Sequence, residues 1–317
     1  MIFTGQIPLH GEEGVVEVLQ PSLTDWLPLE IIPAVGVLAA ALWYLSAVRA
    51  LTARGDKWPI NRTLFFVLGG LGSIFISTQG PLAKLDSVLL TTHMIQHMLL
   101  SMLAPVFLAL GAPVTLAIRT FKPTLRSLLM RVLESWFVKV ITFPLVAGLI
   151  YILNPWLLYF TSYYENTLTN PLLHNFNHLH FVMVGSIWIW ALIGIDPMPR
   201  LGFPIRMFAV FVTLPFHAFL GVTLMNSQNP IAYSYYETVV RDWGPTILED
   251  QQMAGGLLWA IGDLVGLVLF ITLMIQWSKA SEREAVRVDR DLDRQEARTK
   301  ARTAIHGTAN HENQAGE

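Results

Sequence analysis

The sequence predicts an all-α polytopic membrane protein, a bundle of seven transmembrane helices with the N-terminus outside and the C-terminus cytoplasmic. Three observations carry this. The chain of 317 residues is 53% hydrophobic and only 14% charged, against roughly 25% charged residues in a soluble domain. Seven apolar runs reach or approach the roughly 17–25 residues that a helix needs to cross a bilayer. All of the 21 Lys and Arg except Lys84 and Arg241 fall on one side of such a bundle, and positive-inside counting makes that side cytoplasmic.

The runs are Leu27–Val48, Leu64–Gly80, Val88–Leu110, Phe137–Phe160, Leu172–Ile195, Ile205–Met225 and Met253–Trp277. They must be helices, because an isolated strand leaves its backbone unsatisfied in lipid. The first is followed by Arg49, Arg54, Lys57 and Arg62. The second is the shortest and is rich in Gly. In the third, Pro105 is expected to bend the helix, and Gly111 with Pro113 to end it. Arg119, Lys122, Arg126, Arg131 and Lys139 separate the third from the fourth. Arg200 and Arg206 lie between the fifth and the sixth. Gly255, Gly256, Gly262 and Gly266 in the seventh permit close helix contact.

Three regions follow. Residues 1–26 form an acidic extracytoplasmic segment with Glu12, Glu13, Glu17 and Asp25. Residues 27–277 form the membrane domain, and residues 278–317 a charged cytoplasmic tail, helical in its first half and disordered at its end. The opening stretch does not read as a cleaved signal peptide.

Cysteine is absent, which excludes disulfides and thiolate chemistry. A soft-metal site would have to use His and Met. No nucleotide loop or nucleic-acid module is present, so nucleic acid is not an expected partner.

The chemistry gathers toward the outer side. His93 and His97 lie four residues apart, on one face of the third helix. The fifth opens NPLLHNFNHLHFVMVG, with His174 and His178 on one face and His180 turned away. His217 lies beyond the midpoint of the sixth, and Asp263 near the middle of the seventh. At about 1.5 Å per residue, His97, His217 and Asp263 sit roughly 12–15 Å below the outer ends of their helices. A carboxylate at that depth needs a cation, a hydrogen-bond partner or a proton. Imidazole suits Cu, Zn and Fe, and Met94, Met98 and Met102 line the helix of His93 and His97. Histidines that bridge helices by hydrogen bonds are the ordinary alternative.

The stretches HMIQHMLLSMLAPVFLALGAP, FNHLHFVMVGSIWIWALIGIDPMP, LPFHAFLG and EDQQMAGGLLWAIGDL resemble, in this order, the seven-helix CtaG-like cytochrome c oxidase assembly family over about residues 25–277. His93, Gln96 and His97 match its helix 3 motif. Asn177, His178 and His180 match the helix 5 motif, and His217 the helix 6 position. Gln251, Gln252, Gly255, Gly256 and Trp259 match the helix 7 opening, with Asp263 following. His174 is the histidine least tied to the pattern.

The resemblance implies a multi-pass protein of the bacterial plasma membrane that assists maturation of a haem-copper oxidase. Its partners would be oxidase subunits, an extracytoplasmic copper donor and membrane lipid. No catalytic turnover is required. Copper would be held transiently by His93, His97, His178 and His217, with Asp263, His180, Gln96, Asn177, Gln251 and Gln252 in support. A copper or small-solute transporter, a membrane haem protein and a cofactor-free assembly factor remain alternatives.

Overall fold

The computed structural model describes residues 16–17, 29–193, 195–196 and 201–314. Apart from Val16–Glu17, the expected acidic segment 1–26 lies outside the described residues, as does Arg200. The regular structure of the described residues is helical, except for one parallel two-residue pairing of β1 (Val16–Glu17) with β2 (Val239–Val240).

Seven principal helices run in the order α1 (Ile31–Ala53), α2 (Ile60–Thr78), α3 (Leu90–Leu110), α4 (Pro144–Tyr159), α5 (Pro171–Ile193), α6 (Phe203–Asn226) and α7 (Ile247–Gln314). Six of them are long and apolar enough to cross a membrane. The exception is α4, with 16 residues. After a 67° bend it is followed by the short helix Tyr163–Thr169, and counting that pair as one crossing makes seven.

The expected fourth segment, Phe137–Phe160, is not continuous. A short helix Trp136–Ile141 ends at Thr142, and α4 begins at Pro144. Proline has no N–H to donate and disfavours helix in the residue before it, so Pro144 starts a helix and ends the previous one. Phe143 is extended, at ψ 124°. Hydropathy ran through this break because its side chains are themselves largely apolar.

The chain divides into two compact units, Met1–Phe270 and Ile271–Glu317. The second is wholly helical through Gln314 and is exposed along 281–298. Its Ala, Glu, Arg and Gln are strong helix formers.

Within the first unit, contacts between helix ends show which ends lie together. The Glu30 N–H donates to Gln79 Oε1 at 2.9 Å, and Gln79 Nε2 returns a bond to the Glu30 carbonyl at 3.0 Å. This joins the start of α1 to the end of α2. Asp250 of α7 accepts from the N–H groups of Leu90 and Thr91 at the start of α3. At the opposite end, Asp56 pairs with Arg119 at 3.2 Å. There Asp196 accepts from the backbone and hydroxyl of Thr115 and from the Trp190 indole. Chain crossings therefore alternate in direction.

Near that opposite end, Tyr44 stacks on Phe66 at 4.1 Å and donates to the Gly111 carbonyl at 2.8 Å. Leu51, Leu71, Leu108 and Leu116 surround the pair. A Cβ at Gly111 would lie 2.6 Å from Phe66 Cβ, so glycine is needed there for close approach. The left-handed residue that ends α3 is Ala112, at φ 49°, and Pro113 begins the next short helix.

Among the spans, α3 is the most buried and α1 the least. α5 packs on α3 and α4, and α4 packs on α6. Leu38, Leu42, Leu68, Phe211, Phe219 and Leu264 remain exposed, as lipid-facing residues of a bundle are. α6 and α7 meet through Gly221 and Gly255, where either Cβ would come within 2.7 Å of the other's carbonyl oxygen. Backbones approach this closely in membranes only over small residues.

Candidate functional site

Because α3 is central, its polar residues face protein on most sides. His93, Gln96 and His97 are all buried. One turn beyond His97 the helix passes through a π turn, Leu99–Leu103, just before Pro105. Pro105 cannot donate to the preceding turn, and π turns of this kind recur at functional sites. Ser101 Oγ donates to the His97 carbonyl at 2.7 Å. α5 lies against this turn through Gly185, where a Cβ would fall 2.0 Å from the Ser101 carbonyl oxygen.

The densest polar group joins α3 and α5 to the connection before α3. Asp86, buried in that connection, accepts from Gln96 Nε2 at 3.0 Å. His174 Nε2 lies 2.8 Å from Asp86 Oδ2, and His178 Nε2 lies 3.5 Å from the same oxygen. His178 Nε2 bonds Gln96 Oε1 at 3.0 Å. Gln96 Nε2 also donates to the Ser77 carbonyl at 2.8 Å, anchoring the network to α2. Burial alone would push the Asp86 carboxyl up, but the His174 and His178 imidazoles beside it hold it well below the usual carboxylate range. One potential ligand atom each from Asp86, His174 and His178 lies within 4.8 Å of the other two.

His93 sits beneath this group in an aromatic box. Its ring centroid is 4.8 Å from Tyr164 and 6.1 Å from both Tyr159 and Phe181. Neither ring nitrogen has a hydrogen-bond partner. Tyr164 and Tyr236 bond hydroxyl to hydroxyl at 2.7 Å behind the box. His97 packs edge-on against Phe181 at 4.3 Å, and its Nδ1 is also without a partner.

His217 lies against Tyr151 at 6.2 Å and against Gly262, where a Cβ would meet the imidazole at 2.1 Å. Its nitrogens make no hydrogen bond of good geometry, although the Leu258 backbone lies alongside. With Ser101, Met102, Tyr151 and Gly262 it borders a cavity of about 20 Å³, room for one water.

Of the four histidines picked out as ligands, only His178 joins the Asp86 group; His93, His97 and His217 lie outside it. His180 turns toward α4 and bonds Asn154 Oδ1 at 2.6 Å. Asn177 is buried, with Oδ1 unpartnered. Gln251 ties α7 to the end of α6 and the chain after it, donating to the Leu224 carbonyl and accepting from the Ile231 N–H at 2.6 Å. Gln252 is exposed. Asp263 keeps Oδ1 buried without a partner.

Sequence reasoning passed over Asp86 and gave His174 little weight. Asp86 sits outside every apolar run, in LAKLDSVLL. The available signal was a lone acid between apolar residues next to a helix start.

These features define a class: a polytopic helical membrane protein that keeps histidines and carboxylates buried within its bundle. The model of the cytochrome c oxidase caa3 assembly factor family, Caa3_CtaG, matches residues 42–280, and the chain belongs to that family. It is 34% identical over 279 residues to the uncharacterised proteins Mb0105 of Mycobacterium bovis and MT0111 of Mycobacterium tuberculosis. It is 32% identical over 278 residues to ML1998 of Mycobacterium leprae. These matches cover 85–86% of this chain but 42% of each relative, so the chain spans less than half the length of these relatives. No solved structure matches it.

Proposed function

We propose that this chain assists maturation of the copper centre of a haem-copper oxidase, with copper as its cargo. In this reading it crosses a bacterial plasma membrane seven times, with its histidine-bearing end outside and its C-terminus in the cytoplasm. Oxidase subunits and an extracytoplasmic copper donor are its partners. His93, His97, His178 and His217 are the pool of transient ligands. Gln96 and Asn177 orient that pool, Gln251 and Gln252 border its outer end, and His180 and Asp263 shape neighbouring faces.

Family membership supports the oxidase role. The observation that carries the copper role is His93, fully buried with both ring nitrogens uncommitted. A buried polar ring without a partner costs about 1–3 kcal/mol, a cost that an exchanging ligand must bear and a structural bridge would avoid. Met94, Met98 and Met102 are buried along the same helix, and imidazole with thioether is a donor set suited to copper.

The test replaces His93 or His97 with Gln, which keeps polarity and approximate size. Oxidase copper per oxidase protein should fall several-fold, while the abundance of this chain changes little. Normal copper in both stable variants would refute ligand transfer and leave a cofactor-free assembly role.

A further inference from the structure

We propose that Asp86, His174 and His178 form a binding site for a divalent ion of borderline softness, Cu2+ or Zn2+, with Gln96 as its positioning residue. The site supplies a loading point for the reading above, yet it rests on its own geometry.

The donors come from separate places in the chain. His174 and His178 are one turn apart on α5, and Asp86 is 88 residues before His174. Both Nε2 atoms are directed at the same carboxylate oxygen, at 2.8 and 3.5 Å. Zinc–nitrogen and zinc–oxygen bonds are about 2.0–2.2 Å long, so donors around a tetrahedral ion stand roughly 3.3–3.5 Å apart. The two observed separations bracket that range. All three donor atoms lie within 4.8 Å of one another, and an ion between them needs the His174–Asp86 contact to open by about half an ångström. The two imidazoles pack edge-on with ring centroids 4.4 Å apart, so no side chain lies between them.

Gln96 does what a supporting residue at a metal site does. Its amide N–H groups hold Asp86 at 3.0 Å and the Ser77 carbonyl at 2.8 Å. Its carbonyl holds His178 at 3.0 Å until an ion takes the nitrogen. Ion binding exchanges two bonds, His178 to Gln96 and His174 to Asp86, for coordination, with each ring proton leaving Nε2 for Nδ1 or solvent, while the Gln96 amide keeps its bond to Asp86.

The donor set selects the ion. Two imidazoles and one carboxylate suit Zn2+ and Cu2+. The group contains no sulfur, which separates it from the methionines of α3 and disfavours Cu(I). Nitrogen donors equally disfavour Mg2+ and Ca2+, which take oxygen ligands. Access is through His174, whose side chain is 12% exposed while that of Asp86 is 2% exposed.

The experiment uses the full chain in detergent, titrated with Zn2+ against a chelator and with Co2+ as a visible probe. Wild type should bind one ion per chain, with the intense d–d bands of tetrahedral Co2+. Asp86→Asn and His174→Gln should each weaken binding at least about tenfold, and Asp56→Asn, at the opposite end of the bundle, should leave it unchanged. Gln96→Leu should weaken binding by about 10–100-fold, the range for a supporting residue. Folded wild-type protein without a tetrahedral Co2+ spectrum would overturn the site, whatever the variants do. Undiminished binding in both Asp86→Asn and His174→Gln would overturn it too. No result here depends on an oxidase, so failure of this site leaves the cellular copper measurement to decide the assembly role. A normal oxidase in His93→Gln cells would leave this site standing.

Discussion

Asp250→Ala is expected to destabilise the helix that carries His93, Gln96 and His97. The first N–H groups of a helix have no intrahelical partner and need a cap. At the start of α3 the capping position is held by Leu89, whose side chain cannot accept a hydrogen bond. Asp250, on α7 and 160 residues away, takes over. Its carboxylate accepts from the Leu90 N–H at 2.6 Å and the Thr91 N–H at 3.1 Å. The Thr91 hydroxyl bonds the Asp250 carbonyl, a contact that every variant keeps, so substitution isolates the carboxylate. The residue is buried. Leaving one buried and one half-buried donor unsatisfied gives a loss of about 2–4 kcal/mol. Asp250→Asn retains one acceptor oxygen and should lose about half as much. Unfolding titrations in detergent micelles measure the loss, and hydrogen exchange at Leu90 and Thr91 localises it. An Asp250→Ala protein within about 0.5 kcal/mol of wild type, with unchanged exchange at these amides, would refute the reasoning.

Two further outcomes are expected. Gly185→Ala should destabilise by about 1–3 kcal/mol or more, the range for overpacking, because its Cβ would meet backbone at Ser101. Gly148→Ala should cost less, since its nearest neighbours are side-chain atoms at 3.0–3.3 Å; equal unfolding midpoints for the two variants would contradict this. Reporter fusions after Met1 and after Lys279 should report opposite sides of the membrane, and the same side for both would overturn the seven-crossing arrangement.

The positions of most helices were legible because apolar length is a local property. The fifth run was expected at Leu172–Ile195 and α5 occupies Pro171–Ile193; the sixth was expected at Ile205–Met225 and α6 occupies Phe203–Asn226. The fourth run failed at Pro144, because a hydropathy window averages over a break whose residues are apolar. The π turns at Phe65–Leu71 and Leu99–Leu103 left no trace in composition, since they change hydrogen-bond partners and not side chains. The glycines of the seventh run announced close contact, and Gly255 and Gly262 make it; their partners, Gly221 and His217, were not readable.

By itself, the sequence determined that this chain is apolar, helical and one-sided in its charge, and that His93 and His97, and likewise His174 and His178, share a face. Helical periodicity carries that information, because it sets phase and depth within one helix. Tertiary structure alone decided which faces meet. Periodicity holds nothing about the rotation of one helix against another, so His93 and His178 looked equivalent as ligands. Packing placed the first in an aromatic box and the second beside a carboxylate. Nor does periodicity reach the connections. Asp86 and Lys84 are near neighbours in the same short stretch, and only the fold turns one inward to His174, 88 residues on. Burying that carboxylate is tolerable only where donors converge on it, and those donors stand on two separate helices, α3 and α5.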